Sequence, residues 1–217
     1  MIIGISGSYH RDTEIFAKLL ANKLEFKYKN IPLSRFFHKG NRQLDPLDRI
    51  AFHYEQYQKI FDFLEQQLES FNPSDDIVTG VTPLELLSHF FALTAEGACV
   101  LGLQDTKVRN MFDDITMTFY ARAFELTNQH YNFQVHFQPG LRSYLNRKGI
   151  FRSFIYQEHQ NAILTGLFAN CLVCTIQVPR EIEDVNQQLE KIATDFLLFR
   201  EKRDEQMKDM SNLKNIN

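Results

Sequence analysis

The chain has 217 residues, 44% of them hydrophobic and 24% charged, with a net charge of −3. That length suits one domain, or one domain with an insertion, with a core of its own. A weakly acidic balance of this kind excludes general binding to nucleic acid or to an anionic membrane across the whole surface.

The first predicted element is a buried strand, the apolar run "MIIGIS" closing on Gly7. From Thr13 to Lys27 the apolar residues Ile15, Phe16, Leu19, Leu20 and Leu24 recur at helical spacing, with Asp12 or Thr13 as N-cap. "FKYKNIP" reads as a short second strand. A long helix follows, with Asp45 at the cap and Pro46 in the first turn. Its apolar stripe is Ile50, Tyr54, Tyr57, Phe61, Leu64 and Leu68. The turn "NPSDD" leads into the strand "DIVTGV". The next helix, "TPLELLSHFFAL", carries Thr82 as cap, Pro83 after it and Glu85 completing a capping box. Another helix is read over "DTKVRNMFDDITMTFYARAFEL", with Val108, Phe112, Ile115 and Phe119 in register. Then come a strand "YNFQVHFQPG", a loop "NRKGIFRS", a helix "FIYQEHQNAILTGLF", a strand "NCLVCTIQV" and a last helix from about Glu181. Beyond Glu201 the apolar periodicity is lost, and residues 201–217 are read as a polar, frayed tail after one domain over 1–200. Strands alternating with helices predict an α/β domain around a mostly parallel sheet.

The N-terminal "MIIGISGS" lacks the basic region of a signal peptide. The most apolar stretch, Leu84 to Leu103, contains two Glu, a Ser and a His, which suits a buried helix rather than a membrane span. Three cysteines fit a reducing, cytoplasmic setting. Cys171 and Cys174 have C-x-x-C spacing, but on a buried strand residues three apart face opposite ways, which argues against a metal or redox pair.

"GISGSYHRDTEIFAKLL" has the strand, Gly-x-x-Gly turn and amphipathic helix of a phosphate-binding loop without its G-x-x-x-x-G-K-[ST] signature. The order of five segments resembles the P-loop nucleoside and nucleotide kinases, above all the deoxynucleoside monophosphate kinase-like members. These are "IIGISGS" with its helix, the helix "DRIAFHYEQYQKIFDFLE", the junction "DIVTGVTPLELLSHFFAL", the strand "VHFQPG" and the Arg-bearing "LRSYLNRKGIFRS". The resemblance spans about residues 1 to 200 and implies a three-layer P-loop NTPase-like fold, with ATP and Mg²⁺ as cofactors if phosphoryl transfer is retained.

Laid on the family's loop, Asp12 stands at the last Gly, Thr13 at the Lys and Glu14 at the Ser/Thr. The loop thus lacks the cation that neutralises the β- and γ-phosphates and the hydroxyl that holds Mg²⁺. Two carboxylates within about 6 Å of a phosphate cost more than about 1 kcal/mol each unless a metal intervenes. Where the family has Asp-Arg after the third strand, this chain has Gly80 and Val81. Two separate losses of charge, in a reaction that is nearly all positioning and charge neutralisation, imply a fold kept without its chemistry.

Several residues remain candidates for holding an anion. No acidic residue occurs between Leu126 and Gln157, where Arg142, Arg147, Lys148 and Arg152 accompany His130 and His136. By resemblance this is the lid, closing over a nucleotide or another phosphorylated ligand; otherwise it is a solvated basic loop. His10 and Arg11 either replace the missing loop charge, with Ser8 and Thr13 donating hydrogen bonds, or point to water. Asp12 and Glu14 either bind a hard metal or serve the start of the helix, and the helical role accounts for both without a ligand. Arg49 and Gln56, carried over by resemblance with their neighbour Gln58, either line a substrate cleft or form a polar helix face. The expected function is that of a pseudo-kinase that binds a nucleotide-like anion or a partner protein and has no catalytic residue of its own. An active kinase with an atypical loop and a structural or assembly protein are the alternatives.

Overall fold

A computed structural model describes residues 1–7, 10–33, 36, 46–101, 106–138, 154–178 and 184–214. Five strands alternate with six helices in them: β1 (Ile2–Gly7), α1 (His10–Leu24), β2 (Lys27–Lys29), α2 (Pro46–Glu69), β3 (Ile77–Thr79), α3 (Pro83–Leu101), α4 (Thr106–His130), β4 (Phe133–Phe137), α5 (Phe154–Ala169), β5 (Cys174–Val178) and α6 (Val185–Lys214). The strands form one parallel sheet in the order β2-β3-β1-β4-β5. β1 lies at its centre, with Ile2 opposite Ile77 of β3 and Gly7 opposite Phe137 of β4.

The alternation of β1 sorts its side chains onto two layers. Ile3 and Ile5 join Val78, Phe133 and Val135 beneath α1 and α6, which contribute Phe16, Ala17, Leu20, Ile192 and Phe196. The opposite layer is built from α2 to α5, where Phe61 stacks on Phe119 and Phe90 meets Phe119 edge-on. The expected stripe of α2 supplies Tyr57, Phe61, Leu64 and Leu68 to this core. The chain leaves β1 through α1 on one layer and leaves the adjacent β3 through α3 on the other. Such a reversal opens a crevice at the carboxyl ends of the two strands, the usual ligand position in open α/β sheets.

Four local expectations are corrected. α1 begins at His10, so Asp12 and Thr13 lie within the helix and neither is its N-cap; the Thr13 hydroxyl has a tertiary partner instead. α6 starts at Val185, where Asp184 Oδ1 accepts the backbone N–H groups of Asn186 and Gln187 at 2.7 and 3.1 Å. It does not fray at Glu201 but runs to Lys214, because Glu, Lys, Arg, Gln and Met keep a helix wound after its packing face is lost. β5 is an edge strand with exposed Cys174 and Gln177, and Cys171 precedes it. The alternation argument for the two cysteines therefore fails. Burial raises the pKa of both thiols, and among the described residues no cluster could hold a metal. Among the same residues, no helix is long and apolar enough to cross a membrane.

Candidate functional site

At the crevice, only Ser8 and Tyr9 separate the end of β1 from the start of α1. His10, Arg11 and Asp12, the loop positions whose backbone N–H groups would fan around a phosphate in the P-loop pattern, are wound into the first turn of α1. Thr13, which the sequence comparison laid on the family's lysine, is 2% exposed, and its Oγ1 donates to the Gly80 carbonyl at 3.2 Å. Its methyl group also sits 3.1 Å from where a Cβ on Gly7 would be. A Cβ on Gly80 would lie 2.9 Å from Glu14 Cα and 3.2 Å from Glu14 N. The first turn of α1 thus rests directly on the backbone that follows β3. A carboxylate at position 80 has no room. Val81, which the sequence comparison laid on the family's arginine, points into the core at 3% exposure.

The turn from Thr79 to Thr82 is held from three sides. Thr79 Oγ1 and Tyr131 Oη both donate to the Val81 carbonyl at 2.9 Å. Thr82 Oγ1 lies 2.8 Å from Ser6 Oγ and accepts the Glu85 backbone N–H at 3.2 Å. The Thr82 half of the expected capping box is thus in place, with Glu85 buried behind it. Burial raises the Glu85 pKa well above the ordinary carboxylate value, which favours its neutral form. Gly4 makes this geometry possible, since a Cβ there would strike Thr82 and Tyr131 at 2.6 and 2.8 Å.

Glu14 pairs with Lys18 at 2.9 Å, and its charge and hydrogen bond assist burial in pushing the Tyr28 pKa up to about 12. Gln56 Nε2 donates to the Phe36 carbonyl at 2.8 Å, which fastens that segment to α2. Arg49 stands two turns earlier on the same helix. For His10, Arg11 and Arg49 the backbone alone is described, while Ser8, Arg142, Arg147, Lys148 and Arg152 lie outside the described residues.

His136 is corrected from the sequence reading. It adds no positive charge to the basic stretch, because it is fully buried on β4 with its pKa lowered to about 4 by desolvation. Its Nε2 lies 3.1 Å from Asn161 Oδ1, and Gln160 Nε2 reaches Ser88 Oγ at 3.4 Å. Ser6, Thr82, Glu85, Ser88, His136, Gln160 and Asn161 therefore make a buried polar layer between the sheet and α3 and α5. Sequence reasoning missed most of it. Its one visible signal is the polar pair Gln160-Asn161 ahead of the apolar run in α5.

No protein-family model and no curated protein sequence matches the chain. Solved structures match it by shape. M. mycoides deoxyadenosine kinase with bound dATP superposes with a TM-score of 0.62 at 16% identity, covering 90% of this chain and 99% of that one. The same enzyme with products dCMP and a flexible dCDP gives 0.61 at 16% identity, over 90% and 98% of the two chains. Its dCTP-bound form gives 0.60 at 15% identity, over the same shares. The fold is that of a P-loop nucleoside kinase. Nearly the whole length of the kinase is represented in the match.

Proposed function

We propose that this chain is a non-catalytic kinase-fold protein that binds a nucleotide-like anion through the cleft and lid of its fold. The observation that carries the reading is the backbone contact of α1 on Gly80, with Thr13 drawn into it. In this reading the contact lies where the resemblance puts two charged side chains on which phosphoryl transfer depends. The kinase structures of the same fold hold dATP, dCTP and dCMP, which supports a nucleotide-like ligand for the cleft. In this reading Arg142, Arg147, Lys148 and Arg152 form the basic lid, with His10 and Arg11 adding charge near the start of α1 and Ser8 adding a hydroxyl. Arg49 and Gln56 face the base side of the ligand.

Two assays on the full chain test this. Incubation with ATP, Mg²⁺ and a panel of nucleosides and nucleoside monophosphates should give no product above a protein-free control. Robust turnover that disappears in Arg152→Ala would establish an active kinase with an atypical loop and overturn the proposal. A thermal-shift series with nucleotides should give a positive shift, since a ligand at 100 times its Kd adds about 2.7 kcal/mol of stability. No shift with any nucleotide moves the reading to a protein partner.

A further inference from the structure

The two halves of α5 are held by different chemistry. Its later turns seat Leu164, Leu167 and Phe168 in the apolar core, and Asn170 Nδ2 closes the end of the helix on the Gly166 carbonyl at 2.9 Å. Among the described side chains of the earlier turns, the buried ones are Gln160 and Asn161. Each reaches out of the helix through a neutral hydrogen bond: Asn161 Oδ1 to His136 Nε2 on β4 at 3.1 Å, and Gln160 Nε2 to Ser88 Oγ on α3 at 3.4 Å. The first turn has no acidic side chain to set against the positive end of the helix.

Those two bonds leave buried acceptors over. Asn161 Oδ1 accepts from His136 Nε2, so His136 Nδ1 is left with a lone pair; neither it nor Gln160 Oε1 has a partner among the described residues. A buried polar atom in this position has lost its water without compensation, and it regains that water when the element above it lifts. Ser88 does not depend on Gln160, because its hydroxyl also donates to the Glu85 carbonyl at 2.7 Å. The helix carries a stopping point just beyond. Thr165 Oγ1 donates to the Asn161 carbonyl at 2.8 Å, a back-bond of the kind at which helices bend.

We infer that the N-terminal half of α5, up to Asn161, opens as a unit from β4 and α3 within the folded protein, while the half that carries Leu164, Leu167 and Phe168 stays seated. Opening gives up two neutral hydrogen bonds but hydrates His136 Nδ1 and Gln160 Oε1, so it costs far less than unfolding the chain. His136 faces Ser6 across the β1–β4 ladder, near the carboxyl ends of both strands. The opening therefore lies beside the crevice and gives it one wall that can withdraw. This holds whether or not the crevice takes an anion.

Native-state hydrogen exchange of the full chain in rising urea tests this. Amides 158–161 of α5 should exchange with almost no dependence on urea, while amides 87–91 of α3 should show the full slope of global unfolding. Gly166→Ala adds a methyl group with nothing within 4 Å of it, in the half that stays seated. It should slow the α3 amides about two- to fivefold and leave amides 158–161 unchanged. Gln160→Met removes the unpaired acceptor while keeping the length of the side chain, and should slow amides 158–161 about threefold or more. A steep urea dependence at 158–161 in the wild type overturns the inference. So does equal slowing of both segments in Gly166→Ala, or unchanged or faster exchange at 158–161 in Gln160→Met.

Discussion

Replacing Gly80 by alanine inserts one methyl group between α1 and the turn after β3, where the new carbon would sit 2.9 Å from Glu14 Cα. The backbone at Gly80 is outside the left-handed region, so alanine adds no dihedral strain and the whole effect is one of space. The obstructing atoms belong to a helix backbone, and no side chain can rotate away. To reach ordinary contact α1 must retreat by roughly 0.5–1 Å, an overpacking cost of about 1–3 kcal/mol. The same retreat stretches the Thr13–Gly80 hydrogen bond, now 3.2 Å, worth about 1 kcal/mol more. The expected loss of about 2–4 kcal/mol corresponds to a fall in Tm of roughly 4–16 °C for a chain of this size. Gly166→Ala provides the control, because nothing lies within 4 Å of its Cβ and it sits inside α5. There the same methyl should add about 0.5–1 kcal/mol. Urea unfolding followed by circular dichroism measures both. A Gly80→Ala protein within about 0.5 kcal/mol of wild type would refute the close contact and, with it, the reading of the site as closed.

Thr13→Lys introduces the lysine that the resemblance expects but buries its stem and ammonium in the contact with Gly80. It should destabilise the protein by about 3 kcal/mol or more and confer no phosphotransfer, checked by melting and by the kinase assay. His136 has a folded pKa of about 4 against an ordinary 6.5, so the unfolded chain takes up the proton first as pH falls. Stability should therefore drop by about 3 kcal/mol between pH 7 and pH 4, and His136→Gln should remove that part of the slope in urea titrations at each pH. Glu85 has the opposite sign. Its raised pKa means that the unfolded chain ionises first, so stability is lost as pH rises above the ordinary carboxylate range. Glu85→Gln should keep the shape and flatten that loss, leaving the variant more stable than wild type at pH 8; an unchanged slope would mean that the carboxyl is already ionised in the fold.

Much of this architecture was legible because local pattern and tertiary role agree. The Ile50-to-Leu68 stripe, the Pro46 and Pro83 starts and the Thr82–Glu85 box each name a helix and its buried side. The kinase resemblance rested on segment order, and the superposition on the kinase structures bears the shared fold out. Other features depend on contacts remote in sequence. Nothing around Thr13 shows that its hydroxyl will meet a carbonyl at position 80, which is why it read as a cap. Gly80 read as a lost aspartate, and only the packed helix shows that no side chain fits there. His136 looked cationic beside the arginines because burial is decided by Asn161 and Phe168, which follow in α5. The exposure of β5 was hidden for the same reason, since an uncharged apolar run reads alike at the middle of a sheet and at its margin.

The central position of β1 has a consequence for how the chain comes to be folded. The strand is made before both of its neighbours, so Ile2 must wait for Ile77 and Ile3 for Phe133 before either of its sides is joined. At ordinary synthesis speeds, that leaves a bare apolar ribbon emerging from the ribosome for on the order of ten seconds. Ribosome-associated chaperones are the natural guardians of such a segment, and slowing translation ahead of β4 should lower the yield of folded protein more than slowing it afterwards.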